Sequence, residues 1–135
     1  MATILAHIQI HPGMESDFEA LVRELFAGTA AESAKRHYEY WRGAEPGFYY
    51  CLLAFDDFHG FLGHQTSDHH EKASPELGKL ISKMRLEWVD PVQGASELPP
   101  TKMQGLASGA DELTTRYHEL FAATLQDWWE PLRAD

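Results

Sequence analysis

The sequence has a single cysteine, Cys51, so no intramolecular disulfide can form. Cys51 lies in the apolar run Tyr50-Cys51-Leu52-Leu53, the setting of a small buried hydrophobe rather than a nucleophile. Basic residues are scarce. There are 11 Lys and Arg against 21 Asp and Glu, for a net charge of -10. That balance argues against nucleic acid as a partner, because phosphates require a basic stripe. It equally disfavours an anionic membrane surface. No apolar run approaches the ~20 residues of a membrane span. The first residues also lack the basic and long apolar regions of a signal peptide. No nucleic acid and no membrane partner are therefore expected, and a cytoplasmic location is.

What is present suits one folded domain. The 135 residues are 44% hydrophobic and 12% aromatic, with four Trp and eight His. A chain of this length buries roughly two thirds of its unfolded surface. Aromatic residues beyond the needs of the core line pockets or interfaces. Histidines titrate near neutrality and supply proton-transfer groups.

Residues 3–10 alternate, with Ile4, Ala6, Ile8 and Ile10 on one side and Leu5, His7 and Gln9 on the other. This is strand periodicity. His11-Pro12-Gly13 is a turn signal. Phe18, Leu21, Val22, Leu25 and Phe26 recur at helical spacing. That helix starts either at a Ser16/Glu19 capping box or nearer Met14. Residues 36–42 and 48–55 read as two strands joined by a tight turn, the second apolar on both faces. Asp56 or Asp57, Ser67 and Ser74-Pro75 resemble successive helix caps. They predict two or three short helices, the last carrying Leu77, Leu80, Ile81 and Met84. Residues 85–92 return to strand character, with Leu86 and Trp88 on one face.

The order strand, helix, strand, strand, helix, strand predicts an α+β, ferredoxin-like βαββαβ domain over residues 1–95. Its four-stranded antiparallel sheet carries helices on one face. The bare opposite face predicts a homodimer. Residues 96–135 read as a polyproline-like linker and a C-terminal amphipathic helix bearing Leu113, Tyr117, Leu120, Phe121, Leu125 and Trp128, ended by Pro131. That helix is expected to pack on the domain or on the partner subunit.

The densest chemistry lies in Phe61-Leu62-Gly63-His64-Gln65-Thr66-Ser67-Asp68-His69-His70. It holds three histidines able to move a proton. Helix-borne zinc sites typically pair His at i, i+4. No pair in the run has that spacing, so no metal ligand set is expected.

Several stretches together resemble the antibiotic biosynthesis monooxygenase family of dimeric α+β barrel proteins. They are His11-Pro12-Gly13 with Phe18-Glu19-Ala20-Leu21-Val22, Tyr38-Glu39-Tyr40-Trp41, Phe55-Asp56-Asp57, the 61–70 run, and Leu86-Glu87-Trp88-Val89-Asp90-Pro91-Val92. The family's usual Pro-Gly turn before the second strand is replaced by Ser33-Ala34-Lys35. Residues 96–135 have no counterpart in its plain pattern.

The resemblance implies a homodimer with a pocket between sheet and helices in each subunit. It implies a cofactor-independent monooxygenase acting with dioxygen on a small phenolic, quinol or polyketide-like aromatic substrate. The alternative is a non-catalytic small-molecule-binding dimer of the same fold. Such an oxygenase requires a base, an oxyanion donor and a dry aromatic wall. His64 and His70 are the candidate catalytic residues. His7, Tyr40, Trp41, Phe61, His69 and Trp88 are candidates for the substrate pocket, His7 only if its strand face turns toward the helices. No cofactor is expected.

Overall fold

A computed structural model describes residues 1–133. The strands are β1 (Ala2–Ile10), β2 (Lys35–Arg42), β3 (Phe48–Phe55) and β4 (Ile81–Trp88). The helices are α1 (Glu15–Thr29), α2 (Phe58–Gln65), α3 (Asp68–Leu80) and α4 (Glu112–Leu120), followed by a 3-10 turn at Asp127–Leu132. The sheet order is β2-β3-β1-β4, and every pairing is antiparallel. This is the expected ferredoxin-like α+β fold.

Register divides the sheet into two chemically different faces. Ile4, Ala6 and Ile8 pair with Leu53, Cys51 and Tyr49 on one side and with Trp88, Leu86 and Met84 on the other. Tyr38 and Tyr40 pair with Leu53 and Cys51 and extend the same row into β2. The three β1 residues, with Leu53, Cys51, Tyr49 and Tyr38, are buried under the helices. The alternate residues, Leu5, His7, Phe48, Tyr50, Leu52, Trp41, Arg85 and Glu87, occupy the open face. Trp41, Tyr50 and Phe48 are exposed there. The two-sided apolarity of β3 therefore has two meanings: Tyr49, Cys51 and Leu53 are core, whereas Phe48, Tyr50 and Leu52 form an apolar outer surface.

α1 begins beside Met14, with no side-chain cap. It buries Phe18, Val22 and Leu25, three positions of one helical stripe. Asp57 caps α2 by accepting from the Gly60 N–H at 2.7 Å. Ser67 caps α3 by accepting from the His70 N–H at 3.3 Å. Side-chain acceptors at these positions satisfy amide groups that the first helical turn leaves free.

Three sequence expectations need correction. The Ser74-Pro75 pair does not start a new helix, because α3 runs through it with Pro75 inside. Pro75 lacks an N–H and costs that helix one hydrogen bond. Second, Ile81 and Met84 belong to β4, not to a helix, and β4 ends at Trp88 rather than at residue 92. Pairing with β1 from Ile10↔Ile81 onward decides the conformation of residues whose spacing also fits a helix.

Third, the C-terminal helix is short. Asp111 caps α4 through the Thr114 N–H at 2.8 Å, but the helix stops at Leu120. Leu120, Leu125 and Trp128 are exposed; they do not share a buried stripe. Trp129 is buried instead. Arg133 donates to both carboxylate oxygens of Asp90, at 2.9 and 2.7 Å. Thr101 donates its hydroxyl to the Val89 carbonyl at 2.6 Å and its N–H to Asp90. These bonds lay the end of the chain against the exit of β4. α4 packs on α2, and Tyr117 donates to Glu71 of α3 at 2.6 Å. Among the described residues no helix is long and apolar enough to cross a membrane.

Candidate functional site

A cavity of about 290 Å³ lies between the sheet and the helices. Its floor is apolar: Ile4, Ala6 and Ile8 of β1 with Cys51 and Leu53 of β3. Tyr38 and Tyr40 form one wall, and Leu77 of α3 with Met84 and Leu86 of β4 form another. Phe61, His64 and Gln65 of α2 and His70 of α3 form the roof, and Phe121, just after α4, closes one end.

His64 is 1% exposed. Its ring packs against Phe55 and Tyr38, with centroids 5.1 and 5.0 Å away. Nδ1 lies 2.8 and 3.0 Å from the two carboxylate oxygens of Glu32. A carboxylate only accepts, so Nδ1 carries the hydrogen in the neutral ring and Nε2 is left with its lone pair. His64 Nε2 is buried and has no partner among the described residues. This is the arrangement of a base held in one tautomer by an acid behind it.

His70 lines the cavity beside His64, with ring centroids 5.1 Å apart. Its Nδ1 is likewise buried, with no hydrogen-bond partner among the described residues. Burial, reinforced by the neighbouring His64, pushes its pKa down to about 4, so the ring is neutral at neutral pH. Tyr38 and Tyr40 share a hydrogen bond of 2.9 Å between their hydroxyls. Burial raises both phenols above their ordinary range, and they remain protonated donors. One hydroxyl hydrogen is used within the pair, and Thr29 and Cys51 lie within hydrogen-bonding reach of Tyr38 and Tyr40 respectively. Cys51 is pushed up to about 12, mainly by burial, and stays a thiol.

Four of the eight residues singled out in the sequence therefore meet at the cavity: His64, His70, Tyr40 and Phe61. The other four lie elsewhere. Trp88 sits behind the wall, packed on Phe58 and Phe61 at 5.8 and 5.4 Å. His69 turns toward α1, where Nε2 lies 3.3 Å from Glu32 and 3.4 Å from Thr29. Trp41 is on the β2 edge, 60% exposed. His7 is on the open face, 2.9 Å from Glu87. β1 places it there because residues 6 and 7 of a strand point in opposite directions.

Glu32 and Phe121 were not singled out. Glu32 follows α1 in an Ala/Ser-rich stretch, and no local pattern distinguishes it from a solvated acid. Phe121 was assigned to the apolar stripe of a longer helix. It packs edge-to-face on Tyr117 of that stripe at 5.3 Å and on Phe61 of α2 at 6.2 Å.

The fold matches a Mycobacterium tuberculosis protein with a TM-score of 0.65 at 21% identity, covering 70% of this chain and 98% of that one. It matches a Pseudomonas aeruginosa protein with a TM-score of 0.62 at 21% identity, covering 65% and 90%. A crystal structure described as an antibiotic biosynthesis monooxygenase matches with a TM-score of 0.64 at 20% identity, covering 68% and 99%. No curated protein matches the chain significantly. The family model for antibiotic biosynthesis monooxygenase matches residues 1–76, which include Glu32, His64, His69 and His70. The chain belongs to the antibiotic biosynthesis monooxygenase family.

Proposed function

We propose that the protein is a cofactor-independent monooxygenase that oxidises a small phenolic, quinol or polyketide-like aromatic substrate with dioxygen. The observation that carries this reading is His64: a buried imidazole at an apolar cavity, with Nδ1 held by Glu32 and Nε2 unpartnered. A substrate phenol or enol placed against Nε2 loses its proton to His64. The Glu32 carboxylate then offsets the imidazolium charge in a region of low dielectric. A hydroxyl of the Tyr38–Tyr40 pair donates to the developing oxyanion. The resulting carbanion-like position of the substrate forms a C–O bond with dioxygen, and the peroxide anion takes back the proton held by His64 to become a hydroperoxide. Loss of water from that carbon, which must carry a second hydrogen, leaves a carbonyl. The substrate carbon goes from CH2 to C=O and supplies all four electrons that dioxygen accepts, one oxygen ending in the carbonyl and one in water, so no external reductant is consumed.

The apolar floor and Phe121 exclude water that would compete for the anion. At about 290 Å³ the cavity is at the small end of ligand sites, which suits a compact aromatic. The homodimer belongs to this proposal as well. Trp41, Tyr50, Phe48 and Leu52 leave an apolar open sheet face, and a second copy of the chain is the cover that fits it. A cytoplasmic location is proposed on the same footing as the reaction.

The test is dioxygen uptake by purified protein with a panel of quinols and anthrone-like phenols. Uptake that depends on substrate and is lost in His64→Ala supports the oxygenase. Saturable binding of the same compounds, with no uptake by any of them, replaces it with a small-molecule-binding protein.

A further inference from the structure

We propose that Glu32, His64 and His69 form a binding site for a divalent transition metal, with zinc as the best-fitting ion. The carboxylate of Glu32, His64 Nδ1 and His69 Nε2 all lie within 4.8 Å of one another. Ligands around tetrahedral zinc, at 2.0–2.1 Å from the ion, stand about 3.3 Å apart. Here the carboxylate is 2.8 Å from His64 Nδ1 and 3.3 Å from His69 Nε2. The Thr29 hydroxyl is 3.5 Å from the first nitrogen and 3.4 Å from the second. Two imidazoles and one carboxylate suit zinc and its neighbours in the first transition row. Calcium and magnesium prefer all-oxygen sets.

The three ligands come from separate elements, and each is positioned independently. Glu32 lies in the turn after α1, His64 on α2 and His69 in the first turn of α3. The His64 ring is clamped between Phe55 and Tyr38. The His69 ring lies directly on α1 at Gly28, where a Cβ would stand only 2.8 Å from His69 Cγ. Only a glycine allows the ring so close, and that approach carries Nε2 to Thr29 and Glu32. Ser67 Oγ lies 3.2 Å from the same Nε2.

The cluster is reachable: the Glu32 and His69 side chains are 18% and 29% exposed, which leaves room for a solvent ligand in a fourth position. His64 spans the two sites, with Nδ1 in the cluster and its ring lining the cavity. A metal on Nδ1 is held by the ring's lone pair at that atom, so the single N–H hydrogen of the neutral ring moves from Nδ1 to Nε2. Nε2 then changes from acceptor to donor. This consequence, unlike the binding site itself, rests on the proposed role of His64 as base.

Calorimetric titration of chelator-stripped, dialysed protein with zinc chloride tests the assignment. One zinc per chain is expected. Glu32→Gln and His69→Ala should each weaken binding at least 100-fold, whereas His37→Ala on the exposed part of β2 should not. Cobalt(II) in place of zinc should give the intense visible absorption of a four-coordinate nitrogen–oxygen site. Circular dichroism checks that each variant is folded. Absence of saturable uptake by the wild-type protein overturns the proposal, as does wild-type affinity in folded Glu32→Gln and His69→Ala. Zinc binding through these residues in a protein whose metal-free form consumes no dioxygen leaves the metal site standing and removes only the oxygenase.

Discussion

Glu32 and His64 are 32 residues apart in sequence and meet at 2.8 Å; among the described residues Glu32 and Thr29 are the hydrogen-bond partners of His64 Nδ1. Replacing His64 by Ala should lower kcat for dioxygen consumption by about 10²–10⁴-fold, the range of a positioned general base. Glu32→Gln keeps the side-chain shape but not the charge, and should lower kcat by about 10–100-fold, the usual scale for a residue that orients another. Substrate affinity, measured by fluorescence titration, should change little in Glu32→Gln. A large loss of affinity with kcat retained would assign Glu32 to binding instead.

Tyr40→Phe removes one hydroxyl from the pair that it forms with Tyr38. If that pair donates to a developing oxyanion, kcat falls on the order of 10²-fold, while KM moves much less. Steady-state kinetics separates the two. An unchanged kcat would reduce the tyrosines to cavity walls.

Phe121→Ala opens the end of the cavity that Phe61 and Phe121 close together. Phe121 is half-buried, so the stability cost should be about 1–3 kcal/mol, below that of a fully buried Phe. The informative outcome is substrate preference: bulkier aromatics should gain in kcat/KM relative to compact ones. Thermal melts and competition kinetics give both quantities.

Gly28→Ala sets two effects against each other. Alanine is favoured over glycine in a helix interior by roughly 1 kcal/mol, but the new methyl group would stand 2.8 Å from His69 Cγ. The partly exposed His69 ring has room to move aside. The variant should therefore keep its Tm within a few degrees while zinc affinity falls at least 10-fold. Equal affinity would show that the ring need not lie on Gly28.

Asp90 anchors the end of the chain through Arg133. Its carboxyl is held below the ordinary aspartate range, first by the Arg133 hydrogen bond. A depressed folded pKa contributes stability that is complete above the unfolded value of about 3.9 and is lost as pH falls through the folded value. Limited proteolysis of the C-terminal segment should therefore stay slow at neutral pH and accelerate only below about pH 4. Asp90→Ala should release the segment at neutral pH, at a cost of about 1–3 kcal/mol for hydrogen bonds to a charged group.

The fold was legible because its signals are periodic. Alternation in residues 3–10 placed Ile4, Ala6 and Ile8 opposite His7, and the caps at Asp57 and Ser67 separated α2 from α3. What failed was local pattern in competition with long-range pairing. Ile81 and Met84 fit a helical stripe, yet β1 recruits them into β4. Leu125 and Trp128 continue the spacing of α4, yet Trp129 and the Asp90–Arg133 contact hold the chain in another path. The site was half legible. His64 and His70 stand out in a histidine-rich run. Glu32 does not, because what distinguishes it is a partner brought near only by the fold. The sheet face occupied by His7 required knowing which side carries the helices.

The alternation of β1 from Ile4 to Gln9 has a further consequence for how this protein can change. Neighbouring positions belong to different environments: Ala6 and Ile8 touch the cavity, whereas His7 and Gln9 look outward. Codon by codon, one strand thus carries two independent sets of choices. A library restricted to Ile4, Ala6, Ile8, Met84 and Leu86 would recast the cavity while leaving the outer surface chemically intact. A library at Leu5, His7 and Tyr50 would do the reverse. Changes at the cavity and changes on the open sheet face can proceed separately along residues 4–9 of β1.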